Sequence, residues 1–515
     1  MSRSHTLALN TAATYLRSLV SLGLTLFSSR WVLQALGTDD FGTYSVIASL
    51  TVFVTFLNGV LANSVARHLA FAIGTNRPGE VRAWFNTALS LHLTAAITLV
   101  AVGWPMGHWF ITNHLSVDPA RLATANRIFE FGLIGAFVTM VTIPYSAMFT
   151  AKQRLTELAL IGVFQSCLVF GLALALKHTT GDLLRNYAFG MAGIVVGAQS
   201  TIIIRATSHY TECRPTFRQW FGSEKTREVL HFAGWNLFGW VGGTLRDSGS
   251  ALLVNLQFGP QVNAAYGIAL QIAQGTNQLA AALMGAFTPE MTTSEGRGER
   301  ERMLQLAQRM NKYGTLIVLL FALPLMLQMD FVLTLWLKTP PAHAATFSRL
   351  VLLVFLIDRL TTGYMLAVSA HGKIAAYQAT LGSFLILTLP IAWVILHIGA
   401  PPQAVYWASL VTILLCSGGR VLWARKLFKV GVRTWFGATF LPCLKVSTAA
   451  SLVGFASIYL PLTGFAQFAV TVAATVLSGT LGAWTSALSM EERSALRRLF
   501  AASLNKLPFR TASAT

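Results

Sequence analysis

An all-α polytopic membrane protein with about fourteen transmembrane helices is the fold class this sequence predicts, and three observations predict it. Hydrophobic residues make up 54% of the 515 positions, charged residues only 11%, and mean hydropathy is +0.58; soluble domains carry about 25% charged residues. Apolar runs of roughly 20 residues, the length that crosses about 30 Å of hydrocarbon, recur along the chain. Lysines and arginines gather in the short connectors between those runs, the pattern that orients membrane proteins.

The runs predict spans over 8–33, 42–72, 84–112, 126–149, 157–177 and 186–206. A second set covers 231–256, 264–291, 313–337, 347–370, 376–398 and 404–424, and a final pair covers 438–461 and 464–488. Arg17 interrupts the first run and no small-residue cleavage site follows it, so this run reads as a retained span rather than a signal peptide. An even number of spans puts both termini on one side. Basic residues in alternate connectors differ by about four to one, which places both termini in the cytoplasm. The organisation expected is an N-lobe over 1–206, a cytoplasmic connector over 207–230 and a C-lobe over 231–424. A basic interfacial segment follows at 425–437, then the last two spans within 438–488 and a basic tail over 489–515. Residues 299–312 and 491–506 read as basic amphipathic helices on the inner membrane surface, with Met303, Leu306 and Met310 on one face of the first.

Two internal matches indicate a duplication. Leu36-Gly37 through Tyr44 aligns with Phe258-Gly259 through Tyr266, with glycine over glycine and tyrosine over tyrosine. Tyr145 through Arg154 aligns with Tyr364 through Lys373 at a nearly equal offset. Six spans separate the copies, so the lobes share an orientation and are expected to be related by a pseudo-two-fold along the membrane normal, with cargo handled between them.

The net charge of +19 comes from 38 basic against 19 acidic residues, and its placement in membrane connectors argues against nucleic acid. The four cysteines lie far apart without a pairing or metal signature. No HExxH, GxSxG or Walker motif occurs, so neither an enzyme, a metal nor a cofactor is expected.

Function points to the charges placed inside spans. An arginine at mid-bilayer costs about 2.5–3.5 kcal/mol on insertion scales and is therefore turned toward a cavity or a partner. Arg17, Arg67, Arg246 and Arg359 are such residues, with Arg67 close enough to a span end to snorkel. Asn10, Thr14, Arg17, Ser21, Thr25 and Ser28 recur at helical steps and form one polar stripe. Span seven repeats the theme with Asn236, Gly243, Arg246 and Ser250, and span eight carries Gln271, Gln274 and Gln278. Asp247, Asp358 and Glu130 are the intramembrane acids; Asp247 and Asp358 each hold an arginine on another span, or one of the three couples transport to a H⁺ or Na⁺ gradient. Sequence neighbours on a helix point about 100° apart, so Asp247 is not expected to pair with Arg246, nor Asp358 with Arg359.

The chain resembles polysaccharide-type flippases of the multidrug/oligosaccharidyl-lipid/polysaccharide exporter superfamily. Asn10, Tyr15, Arg30-Trp31-Val32-Leu33 and Leu36-Gly37-Thr38-Asp39-Asp40-Phe41-Gly42-Thr43-Tyr44 carry the likeness, followed by Gly59 and Arg67-His68-Leu69-Ala70. The resemblance implies a two-lobed transporter that moves an undecaprenyl-pyrophosphate-linked oligosaccharide from inner to outer leaflet. Its cationic cavity would map onto Arg17, Arg67, Arg246 and Arg359, with polar stripes binding sugar hydroxyls. The partners implied are the lipid-linked oligosaccharide, membrane lipid, and a polysaccharide polymerase with chain-length machinery. Lipid II flippases, cation antiporters of the same superfamily and, outside transport, glycan polymerases or ligases are the alternatives.

Overall fold

The computed structural model describes residues 61–77, 79–113, 119–216 and 223–494, with scattered positions between 16 and 47 and Arg497; Asn10 lies outside the described residues. Helices carry the whole described fold, because a backbone in lipid must satisfy its own hydrogen bonds within each segment. In the N-lobe, α1 (61–75) is followed by α2 (Glu80–Asn113), α3 (Leu122–Ala151), α4 (Leu155–Ala175) and α5 (Leu183–His209). The second lobe begins with α6 (Ser223–Thr244), which runs through a π turn (Leu245–Gly249) into α7 (Ser250–Gly296). It continues with α8 (Arg300–Leu327), α9 (Met329–Leu337), α10 (Ala344–Arg359), α11 (Thr362–His371), α12 (Ala375–Ile386), α13 (Thr388–His397) and α14 (Ala404–Phe428). A short α15 (Val432–Trp435) leads by a second π turn into α16 (Leu441–Ile458), and α17 (Gly464–Gly482) follows.

Among the described residues, nine helices are long and apolar enough to cross a membrane, ten when the bent pair α10–α11 is taken as one span. The seventh and eighth expected spans are the continuous stretch from α6 through α7, divided where Gly259 leaves helical geometry at φ 81°, ψ 179°. One expectation is corrected. Residues 300–312 do not lie on the membrane surface but form the first turns of α8, with Met303, Leu306 and Met310 buried in the core. Its apolar face is covered by protein rather than by lipid. Residues 432–437 are helical and run on into α16, within the apolar stretch Val432–Ile458.

The duplication is written into the backbone. Left-handed conformations occur at Gly37 and Gly259, at Asn76 and Gly298, at Gln153 and Gly372, and at Gly181 and Gly399. The members of each pair stand at one nearly constant separation along the chain, so the connectors turn alike in both copies. Side chains repeat as well. Tyr44 packs on Tyr187 with ring centroids 4.9 Å apart, and Tyr266 packs on Tyr406 at 5.3 Å. Such pairs contribute about 0.5–1.5 kcal/mol beyond their buried area. Tyr145 and Tyr364 occupy the buried clusters of their respective lobes.

Small residues set the helix spacing, as expected where lipid gives apolar side chains no incentive to associate. The last two spans pack on α8: a Cβ on Gly454 would lie 2.6 Å from Leu327 Cδ1, and one on Gly479 2.8 Å from Leu320 Cδ2. Polar bonds fasten the same contact. Lys312 Nζ donates to both Glu492 oxygens at 3.0 and 2.7 Å, and Gln328 Nε2 donates to Thr471 Oγ1 at 3.0 Å.

Candidate functional site

Arg246 lies within the π turn between α6 and α7, a feature that often marks functional positions. Its Nε donates to Asp247 Oδ1 at 2.8 Å. Neighbours therefore do pair here, contrary to the regular-helix expectation. The wider turn brings consecutive residues closer in direction, and the long guanidinium stem covers the remaining angle. Tyr266 Oη donates to the Asp247 carbonyl at 3.1 Å, tying the turn to the next span.

A second cluster forms at the break between α10 and α11, whose axes differ by 46°. Breaking a helix frees carbonyls that lipid cannot satisfy, and three donors cover them. Ser417 Oγ donates to Ile357 O at 3.2 Å, Arg420 Nη1 to Asp358 O at 3.2 Å, and Trp435 Nε1 to Leu360 O at 3.0 Å. The Asp358 carboxylate sits between two guanidiniums, 2.8 Å from Arg359 Nη2 and 2.7 Å from Arg420 Nη1. Arg359 and Arg420 are both buried. The Arg359 guanidinium covers the Phe355 ring at 4.3 Å and points Nη1 at Met284 Sδ, 3.2 Å away. Asp358 also lies within electrostatic reach of Arg246. The second lobe thus holds three guanidiniums and two carboxylates in these two clusters. Asp358 meets Arg420 from another span, as the ion-pair alternative expects, and also its own neighbour, which the 100° rule did not.

Sequence reasoning missed Arg420. It falls near the end of a span expected to stop at 424, beside Arg425 and Lys426, and so reads as part of a basic connector. Extension of α14 to Phe428 carries it about two turns inward. The usable signal was Ser417, one helical turn before it on the same face.

In the N-lobe, Arg17 is exposed and crosses onto α4, where a Cβ on Gly162 would lie 2.5 Å from its Nε. Ser21 Oγ and Ser166 Oγ are 2.9 Å apart, so this part of the first polar stripe runs along α4. Asn236 Nδ2 donates to Phe232 O at 2.9 Å and its Oδ1 accepts from Gln378 Nε2 at 3.5 Å. Gln271 and Gln274 are exposed on α7. An unpaired amide in hydrocarbon costs several kcal/mol, so this face belongs against water rather than lipid. Gln278 is on the same helix, and its side chain lies outside the described part. Glu130 pairs with Arg127 at 2.9 Å near the start of α3. Arg67 does not snorkel. Its Nε donates to Ser369 O at 2.9 Å and its Nη2 to Ala370 O at 3.3 Å, at the end of α11 in the other lobe.

A pocket of about 200 Å³ between α3 and α5 is lined by apolar residues with Tyr44 and Thr139, and no charged group is among the described residues that line it. It is too small and too apolar to serve the clusters described above.

Near the Arg67 contact, outside the spans, Glu295 accepts from His371 Nδ1 at 2.8 Å and from Arg300 Nη2 at 2.5 Å. Burial alone would raise its pKa, but these hydrogen bonds outweigh burial and hold it at about 2 instead of 4.5. A carboxyl whose folded pKa is depressed stabilises the fold above its unfolded value, and that contribution is lost as pH falls from about 4.5 toward about 2. In detergent, Glu295→Gln is expected to lower Tm at neutral pH and to flatten the pH dependence of Tm below pH 4.5. An unchanged acid limb would remove Glu295 from that role.

No family model matches the chain. It is 23% identical over 323 residues to the uncharacterized membrane protein EpsK of Bacillus subtilis (strain 168), covering 61% of this chain and 62% of that one. The chain thus spans less than two thirds of the length of this curated relative. Its structure is similar to that of MATE in the bent conformation, with TM-score 0.72 and 14% identity, covering 83% of this chain and 96% of the other. It also resembles the outward-facing conformation of a multidrug resistance MATE family transporter of the MOP superfamily, at TM-score 0.69 and 15% identity over 83% and 96%. A third similar structure is a MOP superfamily transporter from Pyrococcus furiosus for which a binding pocket of reverse polarity suggests a different function. That match has TM-score 0.68 and 15% identity over 83% and 96%. At these identities the likeness establishes the architecture, and the chain has the MATE-type fold.

Proposed function

We propose that this protein is an alternating-access transporter that carries a pyrophosphate-linked oligosaccharide lipid from the inner to the outer leaflet. The observation that carries the reading is the surplus of guanidinium over carboxylate inside the membrane. Arg17, Arg246, Arg359 and Arg420 stand against Asp247 and Asp358, and both acids are already engaged by arginines. A cation exporter needs carboxylates free to receive its cargo, and these are not. Arginine forks match phosphate oxygens bidentately, and the exposed glutamines of α7 suit sugar hydroxyls. The fold supports transport, and the reverse polarity of the pocket in the Pyrococcus furiosus relative fits an architecture that is not restricted to one charge type. Lipid II carries the same pyrophosphate and is the second reading. The first repeat places Arg17 and the second places Arg246 on equivalent spans, so these two are assigned to the pyrophosphate.

The test is glycan export in cells with Arg17→Ala and Arg246→Ala combined. Each charged hydrogen bond contributes about 1.5–3 kcal/mol, so export is expected to fall at least about tenfold at unchanged protein level. Export at the wild-type rate would overturn the assignment. Complementation of a strain lacking its peptidoglycan-precursor flippase distinguishes lipid II from an export glycan.

A further inference from the structure

At the end of the molecule where the basic connectors lie, the two lobes are fastened to each other. Arg67 of α1 reaches the last carbonyls of α11, Ser369 O and Ala370 O, and its guanidinium also covers the Phe232 ring of α6 at 4.8 Å. Those carbonyls are the negative end of a helix dipole, a natural seat for a cation. The seat leaves no room for a side chain: a Cβ on Gly372, which has φ 91°, would lie 2.6 Å from Arg67 Cζ. Two further contacts accompany it. Ser64 Oγ donates to Val229 O at 3.1 Å, and His68 Nε2 lies 3.6 Å from Glu228 Oε1.

The repeat gives this contact a counterpart. Glu290 stands in the second copy where His68 stands in the first, and Gly372 stands where Gln153 does. In the structure Gln153 Nε2 donates to Glu290 Oε2, so the end of the first lobe's fourth span meets the second lobe's α7. Arg302 holds the same carboxylate, with Nη2 2.6 Å from Glu290 Oε1. Between these two crossings lie Gly74 and Gly296, which are themselves repeat equivalents. A Cβ on Gly74 would sit 2.8 Å from Gly296 Cα, and one on Gly296 would sit 3.1 Å from Gly74 Cα. The lobes therefore touch backbone to backbone where the pseudo-two-fold passes, with one polar crossing on either side.

We propose that Arg67 is a latch that holds the two lobes together at their basic end by seating on the carbonyl end of α11, with the Gly74–Gly296 contact as its pivot. The latch is chemically asymmetric. One crossing is a cation on carbonyls, the other an amide on a carboxylate already neutralised by Arg302. Release of Arg67 therefore gives up the stronger set of inter-lobe bonds and lets the lobes part at this end while the opposite end closes. Arg67 acts through the conformational equilibrium of the lobes, independently of which cargo they carry.

Asn63 is exposed one turn deeper on the same face of α1 and reports on the latch. The experiment places Asn63→Cys in a chain with Cys167→Ala, the remaining cysteines being buried. A membrane-impermeant maleimide is applied to the basic face in inverted vesicles. Arg67→Ala is expected to raise the labelling rate about tenfold, the effect of removing one charged hydrogen-bonding group from a two-state balance. Arg67→Lys, which can still donate to the carbonyls, is expected to stay near the parent rate. Gly296→Ala leaves Arg67 intact and blocks the pivot, and it too is expected to raise labelling. Parent-like labelling in both Arg67→Ala and Gly296→Ala, with each protein monodisperse and melting normally, overturns the proposal. Should Arg67→Ala fail to fold, Gly296→Ala alone decides it.

Discussion

Replacing Asp358 with alanine is expected to destabilise the protein by about 3–5 kcal/mol, because it strands two buried guanidiniums. Arg359 and Arg420 approach this carboxylate at 2.8 and 2.7 Å, and the Nε of each has no hydrogen-bond partner among the described residues. Like charges would then face each other across the gap left by the acid. Arg420 also bonds the Asp358 carbonyl at the α10–α11 break, so repulsion would act on a place where the span is not a continuous helix. Thermal unfolding in detergent measures the loss. Arg420→Met alone is expected to be milder, since Arg359 remains to neutralise Asp358. Combining Arg420→Met with Asp358→Ala should recover part of the loss, since one stranded charge is then gone. A change in Tm of less than a degree for Asp358→Ala would show that the cluster is not an ionic unit.

The second large effect is expected at Gly363, in the first turn of α11. Its backbone N–H donates to Asn311 Oδ1 at 2.6 Å, and a Cβ there would lie 2.9 Å from both that oxygen and the carbonyl carbon of Ala307. The obstacle is the backbone of α8, which cannot rotate away. Gly363→Ala is expected to push α11 from α8 and break the buried hydrogen bond, costing about 2–4 kcal/mol. Gly285→Ala provides the comparison, since a Cβ at that position meets nothing within 4 Å among the described residues. It should leave Tm within a degree of the parent, and equal losses in the two variants would mean that close approach is not what Gly363 supplies.

The hydropathy of the chain made most spans legible. Expected segments such as 126–149 and 186–206 became Leu122–Ala151 and Leu183–His209 because apolar length is a direct reading of membrane thickness. The repeat was legible from two short matches, since left-handed turns demand glycine or a tolerant residue at fixed places. What stayed hidden depended on departures from ideal helices. The π turn at Arg246 and the break after Arg359 let sequence neighbours pair, and no periodicity argument built on 100° steps registers either. Arg420 was lost because its span was expected to stop one turn too early. The basic start of α8 looked like a surface helix because burial by protein and burial by lipid leave the same apolar stripe. Arg67 looked ready to snorkel because a sequence cannot display carbonyls waiting on a distant helix of the other lobe.

The fastening of the last two spans to α8 bears on how this protein can be cut or fused. Removing everything after α14 would leave the Lys312 ammonium without its carboxylate and turn the Gln328 amide toward fatty-acyl chains. The trimmed surface would also keep the shape moulded around Gly454 and Gly479 with nothing to fill it. These spans are accordingly a rigid passenger of the second lobe. A fluorophore or binding tag carried on α17 would swing with that lobe, and could report its excursions without touching the cargo path.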